Sequence, residues 1–139
     1  MDDIMTDLLN YALWNHHIRV ILSSEPGPYT PSVTHTKSRT IIINTNWHDK
    51  RQIPLQLAHE MGHIINGDQA TRPLYFSMMQ SDYTSELAAN RTAIKLLLPF
   101  YLRDKSIENV NSQDFMDAFS VPSHLESVVK DEISGMIKP

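Results

Sequence analysis

Two histidines four residues apart, with a glutamate directly after the first, constrain this chain more than any other feature: His59-Glu60-Met61-Gly62-His63. Positions i and i+4 share one face of an α-helix, with Cβ atoms about 5–6 Å apart. Both imidazoles can therefore converge on one ion if this stretch is helical. The surrounding pattern predicts a helix from about Asp49 or Pro54 to Asn66. Pro54 falls in its first turn, where a missing N–H costs nothing, and Gly67 follows as the residue that ends it.

The rest of the sequence arranges itself around that helix. Ile4, Met5, Leu8, Leu9, Ala12 and Leu13 recur at helical spacing over residues 2–17, behind the acids Asp2 and Asp3. Arg19–Ser23, Ser32–Lys37 and Arg39–Thr45 read as short strands, with a turn at Glu25-Pro26-Gly27-Pro28. Residues 68–81 have no clear period and read as a loop that covers the core, with a mobile flap over a groove as the alternative; it carries Met78 and Met79 beside Tyr75 and Phe76. Asp82 can cap a further helix that Pro99 ends. A short helix over Gln113–Phe119 and a last one, opened by a Ser123–Glu126 capping box and stopped at Gly135, complete the pattern. The expected fold class is α+β: a small antiparallel sheet of about three strands packed on helices. With 139 residues and no repeats or linker, a single domain over 1–139 is expected, the helices of 112–135 closing its core.

Composition removes several kinds of chemistry. There is no Cys, so disulfides, thiolate nucleophiles and cysteine-bound metals are out. Twelve Lys and Arg against sixteen Asp and Glu give a net charge of −4, which argues against a broad nucleic-acid-binding face. Residues 115–123 have helix–turn–helix spacing, but the helix after them carries Glu126, Asp131 and Glu132, the wrong charge for phosphate contacts. The acidic start, MDDIMTD, is unlike an export signal, and no apolar run approaches the roughly 20 residues that span a bilayer. A cytoplasmic location is expected. His16, His17, His35 and His124 read as surface residues.

What remains is metal chemistry. Zinc is held by imidazole nitrogens at about 2.0–2.1 Å, and a catalytic site uses three protein ligands and keeps one position open. His59 and His63 supply two ligands, and Glu60 is placed as the general base. No histidine follows at the compact spacing beyond His63, so the third ligand comes from elsewhere. Glu86 stands 23 residues after His63 at the start of the next helix, a separation that allows one loop and an antiparallel return. Asn90, one helical turn further, can accept the free N–H of a ligand histidine. Two imidazoles and a carboxylate suit zinc, with manganese, iron and cobalt as alternatives. Tyr75, Tyr83 and His48 flank the two helices and are candidate donors to a developing oxyanion. An extended peptide could add along a sheet edge such as residues 39–45.

The strings LAHEMGHIING (57–67) and SELAANRTAIKLLLP (85–99) resemble the ImmA/IrrE family of small zinc metallopeptidases, over roughly residues 40–100. Leu55-Gln56 stand where the family often has an aromatic and a Thr, and Thr92 where Phe is common; both bear on groove shape rather than on the metal ligands. The resemblance implies a gluzincin-like site with His59, His63 and Glu86 as zinc ligands and Glu60 as general base. It also implies a protein partner, a helix-turn-helix repressor, relieved by cleavage in a phage, mobile-element or bacterial stress setting. The alternative is a metal-stabilised antirepressor that binds the repressor without cutting it.

Overall fold

Helix α1 (Asp3–His16) buries Met5, Leu8 and Ala12 on one stripe and carries Asp3 in its first turn and His16 in its last, as the helix dipole favours. It ends on His17, whose φ of 54° is left-handed. The His17 N–H donates to the Leu13 carbonyl and the Ile18 N–H to that of Ala12, which satisfies the last turn and turns the chain directly into a strand. The computed structural model describes residues 3–70, 73–76, 84–103 and 105–137.

Four strands follow: β1 (Arg19–Ser23), β2 (Val33–His35), β3 (Thr40–Asn44) and β4 (Leu74–Tyr75), in the spatial order β1-β3-β2-β4. The fold class is α+β, but the sheet is four-stranded and mixed rather than three-stranded and antiparallel. β1 runs parallel to β3, while β2 is antiparallel to both β3 and β4. The physical reason is the link from Ser24 to Arg39, long enough for a parallel return and containing β2 within it. β4 lies inside the stretch expected to be loop, where two residues pair with Val33 and Thr34. Met78 and Met79 of the supposed flap lie outside the described residues.

β3 takes an interior place because it is the most apolar strand, with Ile41 and Ile43 fully buried. It is therefore not the edge that the sequence suggested for peptide binding; among the described residues the edges are β1 and β4. Strand pairing places Val20, Ile41, Thr34 and Leu74 in one row, on the face that meets the helices. Ile41 and Thr34 in that row have no exposed surface.

Helix α2 (Ile53–Ile65), entered through a 3₁₀ turn at Lys50–Gln52, is buried at every residue from Ile53 to Ile64. It lies between the sheet and α3 (Thr84–Leu102). A Cβ at Gly62 would stand 2.9 Å from the Ala89 carbonyl oxygen, so only glycine lets α2 and α3 approach this closely. Helix α3 passes through Pro99 instead of stopping there. Leu97, Leu98 and Tyr101 are buried on either side of it while Pro99 is exposed, and that packing outweighs the lost hydrogen bond. Helices α4 (Ser112–Phe119) and α5 (Glu126–Ile137) place Phe115, Phe119, Val129 and Ile133 in the same core cluster. Helix α5 likewise runs through Gly135, since a mid-helix glycine costs only about 1 kcal/mol. No helix among the described residues is long and apolar enough to cross a membrane.

Candidate metal centre

His59 and His63 point from α2 toward α3, their rings 4.9 Å apart and nearly perpendicular. Each imidazole is held at Nδ1 by a separate partner. His59 Nδ1 lies 2.7 Å from Asn90 Oδ1, and His63 Nδ1 lies 2.8 Å from Asp68 Oδ2. Both Nε2 atoms are thereby aimed at one carboxylate: His59 Nε2 is 3.1 Å from Glu86 Oε1 and His63 Nε2 is 3.0 Å from Glu86 Oε2. The second contact is close enough for an ion pair yet lacks hydrogen-bond alignment, so His63 Nε2 is buried without a hydrogen-bond partner. Phe76 packs edge-on against the His59 ring, 5.3 Å between centroids.

Glu60 lies on the sheet side of the pair. Its Oε1 accepts a 2.8 Å hydrogen bond from Thr34 Oγ1 on β2, and its Oε2 is buried with no partner. His59, Glu60 and His63 form a buried group able to hold a metal ion, their ligand atoms all within 4.8 Å of one another.

The donor set fits a metal. Ligands about 2.05 Å from a tetrahedral ion are roughly 3.3 Å apart, close to the nitrogen–oxygen spacings observed here. Buried polar atoms nearly always find partners, so the orphaned His63 Nε2 and Glu60 Oε2 mark a place where one is expected. The charges agree. Burial works to raise the Glu86 pKa, but pairing with His59 and His63 overcomes it and holds the carboxyl down to about 2. Burial works to lower that of His63, and pairing with Glu86 and Asp68 lifts it to about 9. Glu60 is pushed up to about 8 by burial, against the pull of the Thr34 hydrogen bond and nearby His63. In the absence of metal, a proton on His63 offsets part of the charge of the Glu86 and Asp68 carboxylates; a cation can take its place.

The structure brings His59, Glu60, His63, Glu86 and Asn90 together. His48 does not join them: its Nδ1 lies 3.0 Å from the Pro28 carbonyl and its ring stacks on Tyr29. Tyr75 sits on β4 with 58% of its surface exposed. Tyr83 lies outside the described residues.

Two members of the cluster were not visible in the motif. Asp68 is brought in by the end of α2. Gly67, at φ 78°, donates to Ile64, and the Asp68 N–H donates to the His63 carbonyl. That is a Schellman turn, which sets the second residue past the cap against the last helical turn; here the contact is a carboxylate on an imidazole. The glycine after the motif was a signal for it. Thr34 had no local signal, because the partner it supports is 26 residues away.

No curated protein and no solved structure matches the chain. A family model does, that of the IrrE N-terminal-like domain, over residues 15–121. That span contains the whole sheet, α2, α3 and every residue of the cluster, and on that match the chain belongs to the Peptidase_M78 family.

Proposed function

We propose that this protein is a zinc-dependent endopeptidase acting in the cytoplasm on a helix-turn-helix repressor, with His59, His63 and Glu86 as metal ligands. The observation that carries the reading is the convergence of both Nε2 atoms on the Glu86 carboxylate, beside the unpartnered Oε2 of Glu60. Bound there, zinc supplies a Lewis acid that activates water and polarises the scissile carbonyl.

This chain's own residues supply the remaining steps. Asn90 and Asp68 accept from Nδ1 and so keep each Nε2 lone pair directed inward. Thr34 ties down one oxygen of Glu60 and leaves the other to move a proton. Glu60 Oε2 takes that proton from the attacking water and returns it to the leaving amine. A group whose pKa burial has raised toward neutrality suits both halves of the exchange. The side chains of Glu86, 18% exposed, and Asp68, 22% exposed, are open to solvent, and Asn90 is half-buried. For the substrate, the support is the ImmA/IrrE-like pair of motifs and a net charge of −4, which suits a basic DNA-binding partner.

The test is co-incubation of the zinc-loaded protein with helix-turn-helix repressors encoded beside its gene. Cleavage is expected from wild type and not from Glu60→Gln, which retains its metal. A repressor that stays intact but bound, with Glu60 dispensable, would establish an antirepressor without proteolysis.

A further inference from the structure

We propose that the protein forms a symmetric dimer in which the β1 strands of two copies pair antiparallel, joining their sheets into one of eight strands. Among the described residues, β1 pairs only with β3. The Arg19 N–H donates to the Arg39 carbonyl, and the Ser23 carbonyl accepts from the Thr45 N–H. The backbones of residues 19, 21 and 23 thus face β3, and those of Val20 and Leu22 face the open edge. Natural edges are blunted by charges, prolines or bulges. This one runs Val20-Ile21-Leu22, with Ile21 36% and Leu22 37% exposed.

Beside the edge, α1 leaves Leu13 50% and Trp14 74% exposed. A cavity of about 480 Å³ separates the two, lined by Leu9, Leu13, Val20 and Leu22 among others. A strand added to β1 would send alternate side chains into that cavity, and they would need to be apolar. The strand's own Val20 and Leu22 meet the requirement. With the two-fold axis at Ile21, Val20 of each copy stands opposite Leu22 of the other, in a pair whose backbones both face the edge.

Charge selects the same arrangement. Arg19 opens the strand and Glu25 lies two residues past its end. Antiparallel self-pairing in this register brings the end of one strand, with Glu25 just beyond it, beside Arg19 at the start of the other, within reach of long side chains. The contact is made twice, whereas parallel pairing would set like charges side by side. In the dimer the two α1 helices lie side by side over the junction, and Leu13 and Trp14 fill the space between them. Growth from β1 does not involve β4, at the other end of the strand order. A short strand and four apolar side chains make a small interface, so dissociation on the order of 10 µM is expected.

Sedimentation equilibrium of the full chain over about 1–200 µM tests this. The average mass should rise from 15.9 kDa toward twice that value. Trp14→Glu and Leu22→Lys, at exposed positions, should remain monomeric throughout, while Tyr29→Glu, at a 75% exposed site away from the edge, should dimerise like wild type. Glu25→Arg should weaken the dimer about tenfold, and adding Arg19→Glu should restore it. A monomer at the highest concentration would overturn the proposal. So would a dimer indifferent to Trp14 and Leu22, or a double charge swap that fails to rescue.

Discussion

Between α2 and α3, His59, Glu60 and His63 lie almost wholly out of water, with Thr34 buried behind them. Along α1 and β1, by contrast, Leu13, Trp14, Ile21 and Leu22 remain in it. Each region inverts the usual placement of polarity, in a way that a bound cation or a second surface would relieve. Buried charges are costly unless paired or bound to a cation. Exposed apolar strand edges are adhesive unless covered. The first region is held by α2, α3, β2 and the Schellman turn. In the second the backbone is paired with β3 and only the outward side chains lack contacts.

That contrast orders the expected effects of substitution. The largest is His63→Ala, which removes one proposed ligand and leaves Glu86 paired with His59 alone; metal content by mass spectrometry should fall to background. Next comes Gly62→Ala, where a methyl 2.9 Å from the Ala89 carbonyl pushes α3 away. Denaturant unfolding should show a loss of about 2 kcal/mol, with metal affinity falling as Glu86 moves off. Asp68→Asn keeps the shape of the His63 partner but not its charge, and should weaken metal binding about 10–100-fold with little change in fold.

The pH dependence follows from the same cluster. Loading a metal onto His63 expels a proton held to about pH 9. Apparent affinity should rise about tenfold per pH unit below that value, which competition with a chelator will show. Stability of the metal-free protein runs the other way. The folded His63 pKa lies above its unfolded value of 6.5, so its contribution is complete below pH 6.5 and lost as pH rises through about 9. Glu60, raised from 4.5 to about 8, loses its contribution over that lower window in the same direction. Metal-free protein should therefore weaken steadily toward alkaline pH in thermal melts, and zinc should remove the trend. The smallest effect sits on the second region. Trp14→Glu should change the stability of the monomer by less than about 0.5 kcal/mol, read by unfolding at low concentration.

Much of the first region was legible because its geometry is local. A spacing of four on a helix, a proline in the first turn and a glycine after the last fix α2 without reference to the rest of the chain. The placement of Glu86 and Asn90 one turn apart could be read in the same way, and the structure sets both beside the histidines. The sheet was harder, because strand order depends on contacts distant in sequence. Nothing within Arg39–Thr45 says that β3 has neighbours on both sides, or that β1 runs parallel to it. The helix ends at Pro99 and Gly135 were misplaced for different reasons: buried residues on either side outweigh the stop signal at Pro99, and a single mid-helix glycine is too weak a breaker to end α5. Thr34 was invisible because its role exists only once β2 lies against α2.

The proposed centre is two imidazoles and the Glu86 carboxylate around a single ion. Anomalous diffraction at the zinc absorption edge, from crystals of the zinc-loaded protein, tests this most directly. One peak is predicted, about 2.0–2.1 Å from both Nε2 atoms and bonded to a Glu86 oxygen. A peak held by other residues, or one on the histidines with Glu86 turned away, would contradict it.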